Sequence, residues 1–178
     1  MGKLLILDRD GVINFDSPDY IKSPAEWRPL PGSLEAIAKA RAAGWTVAVA
    51  TNQSAVGRGM IDDSDLEDIN NAMLEAVEEA GGMIDLLVWC PHHPDDGCDC
   101  RKPKPGLLHR IGTELEMPLQ EAVLVGDSCR DLEAASAAGV TAWLVRSGNG
   151  VKSESRCGNL AAAVFDDLAT AIDHLLES

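Results

Sequence analysis

The sequence predicts an α/β fold in three layers, a mostly parallel sheet covered by helices on both faces. Three observations predict it. Short apolar, β-favouring runs recur with helical patterns between them. The runs are nearly continuous in hydrophobicity, as strands buried on both faces are. Polar residues with chemical potential follow the runs directly, where ligands of such sheets gather. Strands alternating with helices imply right-handed crossovers, hence parallel neighbours. A chain of 178 residues, 46% of them hydrophobic, is enough for one compact domain over residues 1–178 with a sizeable core.

Taken in order, the first run, 4–7, ends at Asp8. A helix over about 32–43 follows and stops at Gly44. The second run, 45–50, leads to Thr51-Asn52, and a long helix over about 63–80 stops at Gly81-Gly82. The third run, 84–89, leads to Cys90 and a helix begins after Pro105. The fourth, 122–125, leads to Gly126-Asp127 and a helix over about 130–138 that Gly139 stops. The fifth covers 141–145, and a last helix runs over about 167–176. Residues 147–158 are polar and rich in Gly and Ser, which predicts a mobile loop.

The net charge of −14 disfavours nucleic acid as a partner and repels anions at long range, so any phosphate site must be locally positive. No run approaches the ~20 apolar residues of a membrane span, and the amino terminus lacks a signal-peptide pattern. A cytoplasmic monomer that meets neither membrane nor nucleic acid is expected.

Asp8-Arg9-Asp10-Gly11 places two carboxylates two residues apart at the end of a buried strand. One can attack phosphorus while the other protonates a leaving alcohol and then activates water. Alone, the motif could equally be an acidic turn. Later strand ends add to it: Asp127 and Asp131 offer hard oxygens for Mg2+, Thr51-Asn52 a hydroxyl and an amide, and Lys102 a compact cation. Asp131 can also favour the start of its helix.

Cys90-Pro91-His92, five residues, then Cys98-Asp99-Cys100 offers soft ligands for a closed, structural Zn2+ site. His93 is an alternative fourth ligand. The site would fix Arg101 and Lys102 beside the strand ends, although Arg101 could also be a solvated surface charge. Cys129 and Cys157 stand apart and fit small buried hydrophobes.

Asp8-Arg9-Asp10-Gly11, Thr51-Asn52, Lys102 and Gly126-Asp127-Ser128-Cys129-Arg130-Asp131 together resemble the four ordered motifs of the haloacid dehalogenase superfamily, across most of the chain. The resemblance implies a Rossmann-like sheet with a minimal cap, since no insertion is long enough for a separate cap domain. It also implies that Asp8 is the nucleophile, Asp10 the general acid/base, and Thr51 and Lys102 the phosphoryl stabilisers. Mg2+ would sit on Asp8, the Asp10 carbonyl and Asp127. The role of Asp131 stays open.

With its zinc loop the chain is similar to the small branch that holds the D-glycero-D-manno-heptose 1,7-bisphosphate 7-phosphatases and the histidinol-phosphate phosphatases. That similarity favours His92 over His93. Thr51-Asn52-Gln53-Ser54 followed by Arg58-Gly59 resembles the heptose enzymes, which act in bacterial lipopolysaccharide synthesis. The five-residue zinc spacing resembles the histidinol branch instead. Substrate contacts implied are Arg9, Asp16, Tyr20, Asn52, Gln53, Ser54, Arg58 and Arg101. Arg58 could instead pair with Asp62 or Asp63, and Tyr20 could pack under its own loop. A phosphotransferase, or a zinc-stabilised module that binds phosphate esters without turnover, remains an alternative, although a binder has no need of Asp8 and Asp10 together.

Overall fold

The computed structural model describes residues 2–178. Six strands, β1 (Lys3–Leu7), β2 (Trp45–Asn52), β3 (Leu86–Cys90), β4 (Val123–Gly126), β5 (Thr141–Val145) and β6 (Ala163–Phe165), form one sheet in the order β3-β2-β1-β4-β5-β6. All neighbours are parallel. Among the described residues the α-helices are α1 (Ser33–Ala42), α2 (Asp63–Glu79), α3 (Gly106–Glu114), α4 (Cys129–Ala138), α5 (Gly150–Cys157) and α6 (Leu168–Glu177).

Alternation along β1 divides the core in two. Leu5 and Leu7 face α1, α2 and α6, where Ile37, Ile69, Met73 and Ile172 pack. Leu4 and Ile6 face α3 and α4, where Leu108, Ile111 and Leu132 pack. Both faces of the central strands are covered, which is why the runs read as continuous rather than alternating.

Side chains set several helix starts. Asp62 accepts from the Asp65 N–H and Ser128 from that of Asp131, each completed as a reciprocal capping box. Asp167 accepts from Thr170 N–H at the start of α6. At the other end, Gly139 adopts φ 72°, the left-handed region that glycine enters without strain, and so ends α4.

The structure departs from the sequence reading at several elements. Thr51 and Asn52 belong to β2 rather than to the loop after it, because Asn52 still pairs in register with Cys90. Residues 150–157, expected as a mobile loop, form α5. Ser153 donates to the Asp127 carbonyl at 2.8 Å, and Cys157 and Cys129 form a disulfide, so both halves of this helix are tied down. The two cysteines are therefore partners, not separate buried hydrophobes. The sequence reading missed β6, a three-residue strand pairing with β5 through Trp143, Leu144 and Val145. Among the described residues, no helix is long and apolar enough to cross a membrane.

The chain runs outward from β1 to β3, then returns to the other side of β1 for β4 to β6. Such a reversal opens a crevice at the carboxyl ends of the central strands. Here it lies between β1 and β4.

Candidate active site and metal loop

A cleft of about 290 Å³ occupies that crevice, lined on its floor by Asp8, Asp10, Asn52, Gln53, Lys102 and Asp127. Lys102 is the organising cation. Its side chain is 3% exposed, and its ammonium meets Asp8 Oδ1 at 3.1 Å, Asp131 Oδ1 at 2.6 Å and the Ala50 carbonyl at 2.7 Å. Desolvation alone would lower its pKa, but the two carboxylates outweigh that and hold the ammonium charged.

The acids are less well compensated. Carboxylate oxygens of Asp8, Asp127 and Asp131 lie within 4.8 Å of one another. Burial, then the charge of Asp131, pushes the Asp8 carboxyl well above the ordinary range; the same two causes raise Asp127 to about 7. Clustered buried carboxylates facing one ammonium leave excess negative charge, and their oxygens are the hard donors that suit Mg2+. Within the cluster, Asp131 has little left to offer. Its Oδ1 meets Lys102, while its Oδ2 accepts from Asp127 N–H, Ser128 N–H and the Ser128 hydroxyl at 2.9–3.2 Å. Asp8 and Asp127 are the carboxylates free to ligate a metal, with Asp131 holding Lys102 and the α4 start.

A pH prediction follows from Asp127. Its folded pKa is raised above the unfolded value of 3.8, so metal-free stability falls as pH rises from there through about 7. Metal needs the ionised form. Mg2+ affinity, measured by calorimetry, is expected to rise with pH through about 7, because Asp127 and Asp8 must both lose their protons to ligate the ion.

Asp10 behaves oppositely to Asp8. Burial would raise its pKa, but the Arg9 charge and hydrogen bonds from Asn14, Arg9 and Gln53 lower it below the ordinary value. Arg9 supplies its Nε at 3.0 Å, Asn14 its amide at 2.9 Å, and Gln53 its amide also at 2.9 Å. These directions belong to the chain alone: a cation beside Asp8 favours its ionised form, and an anion beside Asp10 favours its protonated form.

This geometry corrects the expectation that Arg9 contacts substrate. Arg9 is 1% exposed and lies behind Asp10, its guanidinium engaged by Asp10, Gln53 and Asn70. Gln53 lines the cleft but spends its amide on Asp10 and Thr51, while Thr51 itself is buried under the floor. Asn52 exchanges hydrogen bonds with the Lys102 backbone in both directions, each 3.0 Å, locking β2 to the segment that carries the lysine.

The outer wall holds Asp16, Tyr20, Ser54, Arg58 and Arg101, all expected from the sequence, together with Ser128, Arg130 and Asn149, which were not assigned substrate or metal roles. Ser128 and Arg130 sit inside a recognised motif, so the signal was present; Asn149 lay in the segment read as a mobile loop. Arg58 does not pair with Asp62 or Asp63. It stacks over the Tyr20 ring at 5.7 Å and donates to Ser54 Oγ at 3.3 Å, so Tyr20 supports it from beneath. Among the described residues, Arg58, Arg101 and Arg130 have no carboxylate partner, and Arg101 Nη1 is buried without any hydrogen bond. Burial and the charges of Arg130 and Arg58 lower the Arg101 pKa, so the wall concentrates positive charge that, among the described residues, no carboxylate pairs with.

Beside the cleft, Cys90, His92, Cys98 and Cys100 bring their ligand atoms within 4.8 Å of one another. Neighbouring pairs are 3.3–3.5 Å apart. A tetrahedral zinc with bonds of about 2.0–2.3 Å has edges of roughly 3.3–3.8 Å, so the four atoms already outline its corners. His93 is not the alternative ligand: its Nδ1 accepts from Asp95 N–H and caps a short 3-10 turn. Burial pushes the Cys90 thiol up to about 12, whereas for Cys98 the Arg101 N–H and neighbouring thiols outweigh burial and bring it down to about 6. One thiolate is thus available at neutral pH to capture a cation. Cys98→Ser is expected to reduce stoichiometric zinc to near zero by elemental analysis and to lower the melting temperature by about 5–10 °C.

Comparison with known proteins decides the family. A HAD-hydrolase-like family model matches residues 99–171. The D-glycero-beta-D-manno-heptose-1,7-bisphosphate 7-phosphatase of Pseudomonas aeruginosa is 53% identical, with 98% of each chain covered. The chain belongs to the heptose-bisphosphate phosphatase family. A second member of that family, from Pseudomonas putida, is 49% identical over 98% of this chain and 99% of its own. The D,D-heptose 1,7-bisphosphate phosphatase of Bordetella bronchiseptica, solved with magnesium and phosphate, superposes with a TM-score of 0.95 at 48% identity, with 98% of each chain covered. The heptose-bisphosphate phosphatase family thus shares this chain's fold across almost its whole length.

Proposed function

We propose that this chain is a Mg2+-dependent phosphatase that removes the 7-phosphate of D-glycero-β-D-manno-heptose 1,7-bisphosphate through an aspartyl phosphate on Asp8. The observation that carries the substrate is the distribution of charge in the cleft. At its floor stand Asp8, Asp10 and Lys102, a set that handles one phosphate; at its wall stand Arg58, Arg101 and Arg130, without carboxylate partners among the described residues and able to hold a second anion. Histidinol phosphate carries a cationic amine where a bisphosphate carries its second phosphate. A wall of guanidinium groups repels it. The β anomer follows the relatives' substrate.

Asp8 attacks phosphorus as the bond to O7 breaks, and Asp10, in its protonated form, gives its proton to the departing alcohol. Without substrate Asp10 is held ionised; the dianionic phosphate entering beside it raises its pKa toward the form this step needs. Water then attacks the aspartyl phosphate, Asp10 takes a proton from it, and inorganic phosphate leaves. Lys102 and the Thr51 and Asn52 region stabilise the transferring group. Asp8, Asp127 and the Asp10 carbonyl would hold Mg2+, which would supply positive charge against the repulsion of one anion attacking another. Cys90, His92, Cys98 and Cys100 would hold Zn2+, which would anchor the loop that carries Arg101 and Lys102. The whole chain acts as one cytoplasmic domain, a monomer that needs neither membrane nor nucleic acid.

The test is phosphate release with Mg2+ from both anomers of the heptose bisphosphate and from histidinol phosphate, compared by kcat/KM. The β-bisphosphate is expected to lead by at least about tenfold, and Arg101→Ala to erase much of that lead while sparing a generic phosphate monoester. A lead for histidinol phosphate moves the protein to that substrate.

A further inference from the structure

We propose that Asn149 is a positioning residue that couples the substrate loop to the metal-binding carboxylate, using its backbone for one and its side chain for the other. The inference rests on the bisphosphate reading above. Asn149 stands just before α5, in the segment between β5 and that helix. Its N–H donates to Asp127 Oδ2 at 2.8 Å, which occupies that oxygen and leaves Oδ1 for a metal. Its side-chain amide reaches across the cleft to Asp16 Oδ2 at 3.1 Å and only grazes Asp127 Oδ2 at 3.5 Å. Asp16 is exposed and lies on the loop after β1, next to Pro18 and Tyr20 in the cleft lining. Among the described residues its carboxylate has a single partner outside its own loop, the Asn149 amide.

The surrounding contacts make this segment a rigid base for such a tether. Ser147 donates to the Gly11 carbonyl at 2.7 Å, and Ser153 to the Asp127 carbonyl at 2.8 Å. A side chain at Gly148, where φ is +58°, would collide with Asp127 and with the Gly11 backbone, so the segment lies flush against both strand ends. An amide placed between two carboxylates also screens their repulsion. The consequence is a division of labour: the Asn149 backbone orients the metal ligand, and its side chain holds Asp16 where a sugar hydroxyl can donate to it.

The test uses binding, in the Asp8→Asn background where turnover is blocked, with calorimetry in the presence of Mg2+. Adding Asn149→Ala keeps the N–H and removes the amide. Affinity for the heptose bisphosphate is expected to fall roughly tenfold, while affinity for orthophosphate stays within about twofold. Asp16→Ala is expected to give a similar loss, and the double substitution to cost no more than the larger single one, because both remove one tether. Equal losses for both ligands, or additive effects of the two substitutions, would overturn the proposal. A parent protein that binds the bisphosphate no better than orthophosphate overturns the substrate reading itself, whatever Asn149 does.

Discussion

Replacing Asp8 by Asn is expected to lower turnover by roughly 10⁴-fold or more while leaving the fold intact, and in the absence of Mg2+ to raise the melting temperature. The two effects share a cause. Asp8 is buried beside Asp127 and Asp131, and its pKa is raised well above the ordinary value, so its ionised form is unfavourable in the metal-free protein. An amide of the same shape keeps the acceptor for Lys102 Nζ and for Arg9 N–H, now 3.1 and 2.8 Å away, and discards the repulsion. The sign is fixed by linkage: the raised folded pKa makes wild-type stability decline as pH rises above the unfolded value of 3.8, and Asp8→Asn removes that part of the decline. Thermal melts across pH, with and without Mg2+, read it directly. Turnover near wild type would remove Asp8 from the nucleophile's role.

Lys102→Met is expected to act in the opposite direction on stability. The ammonium is buried between Asp8 and Asp131 and also donates to a strand carbonyl. Removing one partner from a buried pair leaves uncompensated charge, at a cost of about 3–5 kcal/mol. Turnover is expected to fall by roughly 10²–10³-fold, the scale of losing one preorganised donor to a developing charge. Adding Asp131→Asn to Lys102→Met should restore part of the stability without restoring turnover. Denaturant unfolding and initial rates separate the two. If the single substitution leaves stability unchanged, Lys102 is not the organising cation described above.

Much of this was legible in the sequence because strand ends announce themselves. Apolar runs closed by Asp8, Thr51, Cys90 and Asp127 located both the sheet and the crevice, and the cysteine spacing located the metal loop. What sequence could not disclose was direction. Arg9 sits between two cleft residues, Asp8 and Asp10, yet period-two alternation beyond a strand end is lost, and its side chain turns inward to brace Asp10. Helix α5 was hidden by its polar composition, since what orders it is tertiary: Ser153 on the Asp127 carbonyl and Cys157 on Cys129. Asn149 was missed with it. Its main bond to Asp127 uses a backbone N–H, a group that residue type does not advertise.

The strand order β3-β2-β1-β4-β5-β6 also orders events during synthesis. As the chain leaves the ribosome, β1, β2 and β3 can pair among themselves, and the length ending at Glu114 already holds Asp8, Asp10, Lys102 and the zinc ligands. The other edge of β1 waits for residues 123–126, which bring Asp127 and Asp131 behind them. Until then the nascent protein has Asp8 without Asp127 beside it, a lysine facing one carboxylate instead of two, and an unpaired apolar edge. The docking of β4 beside β1 therefore gathers the charged cluster in one event, bringing Asp127 and Asp131 to Asp8 and Lys102, and Asn149 closes on Asp127 only after β5 has followed.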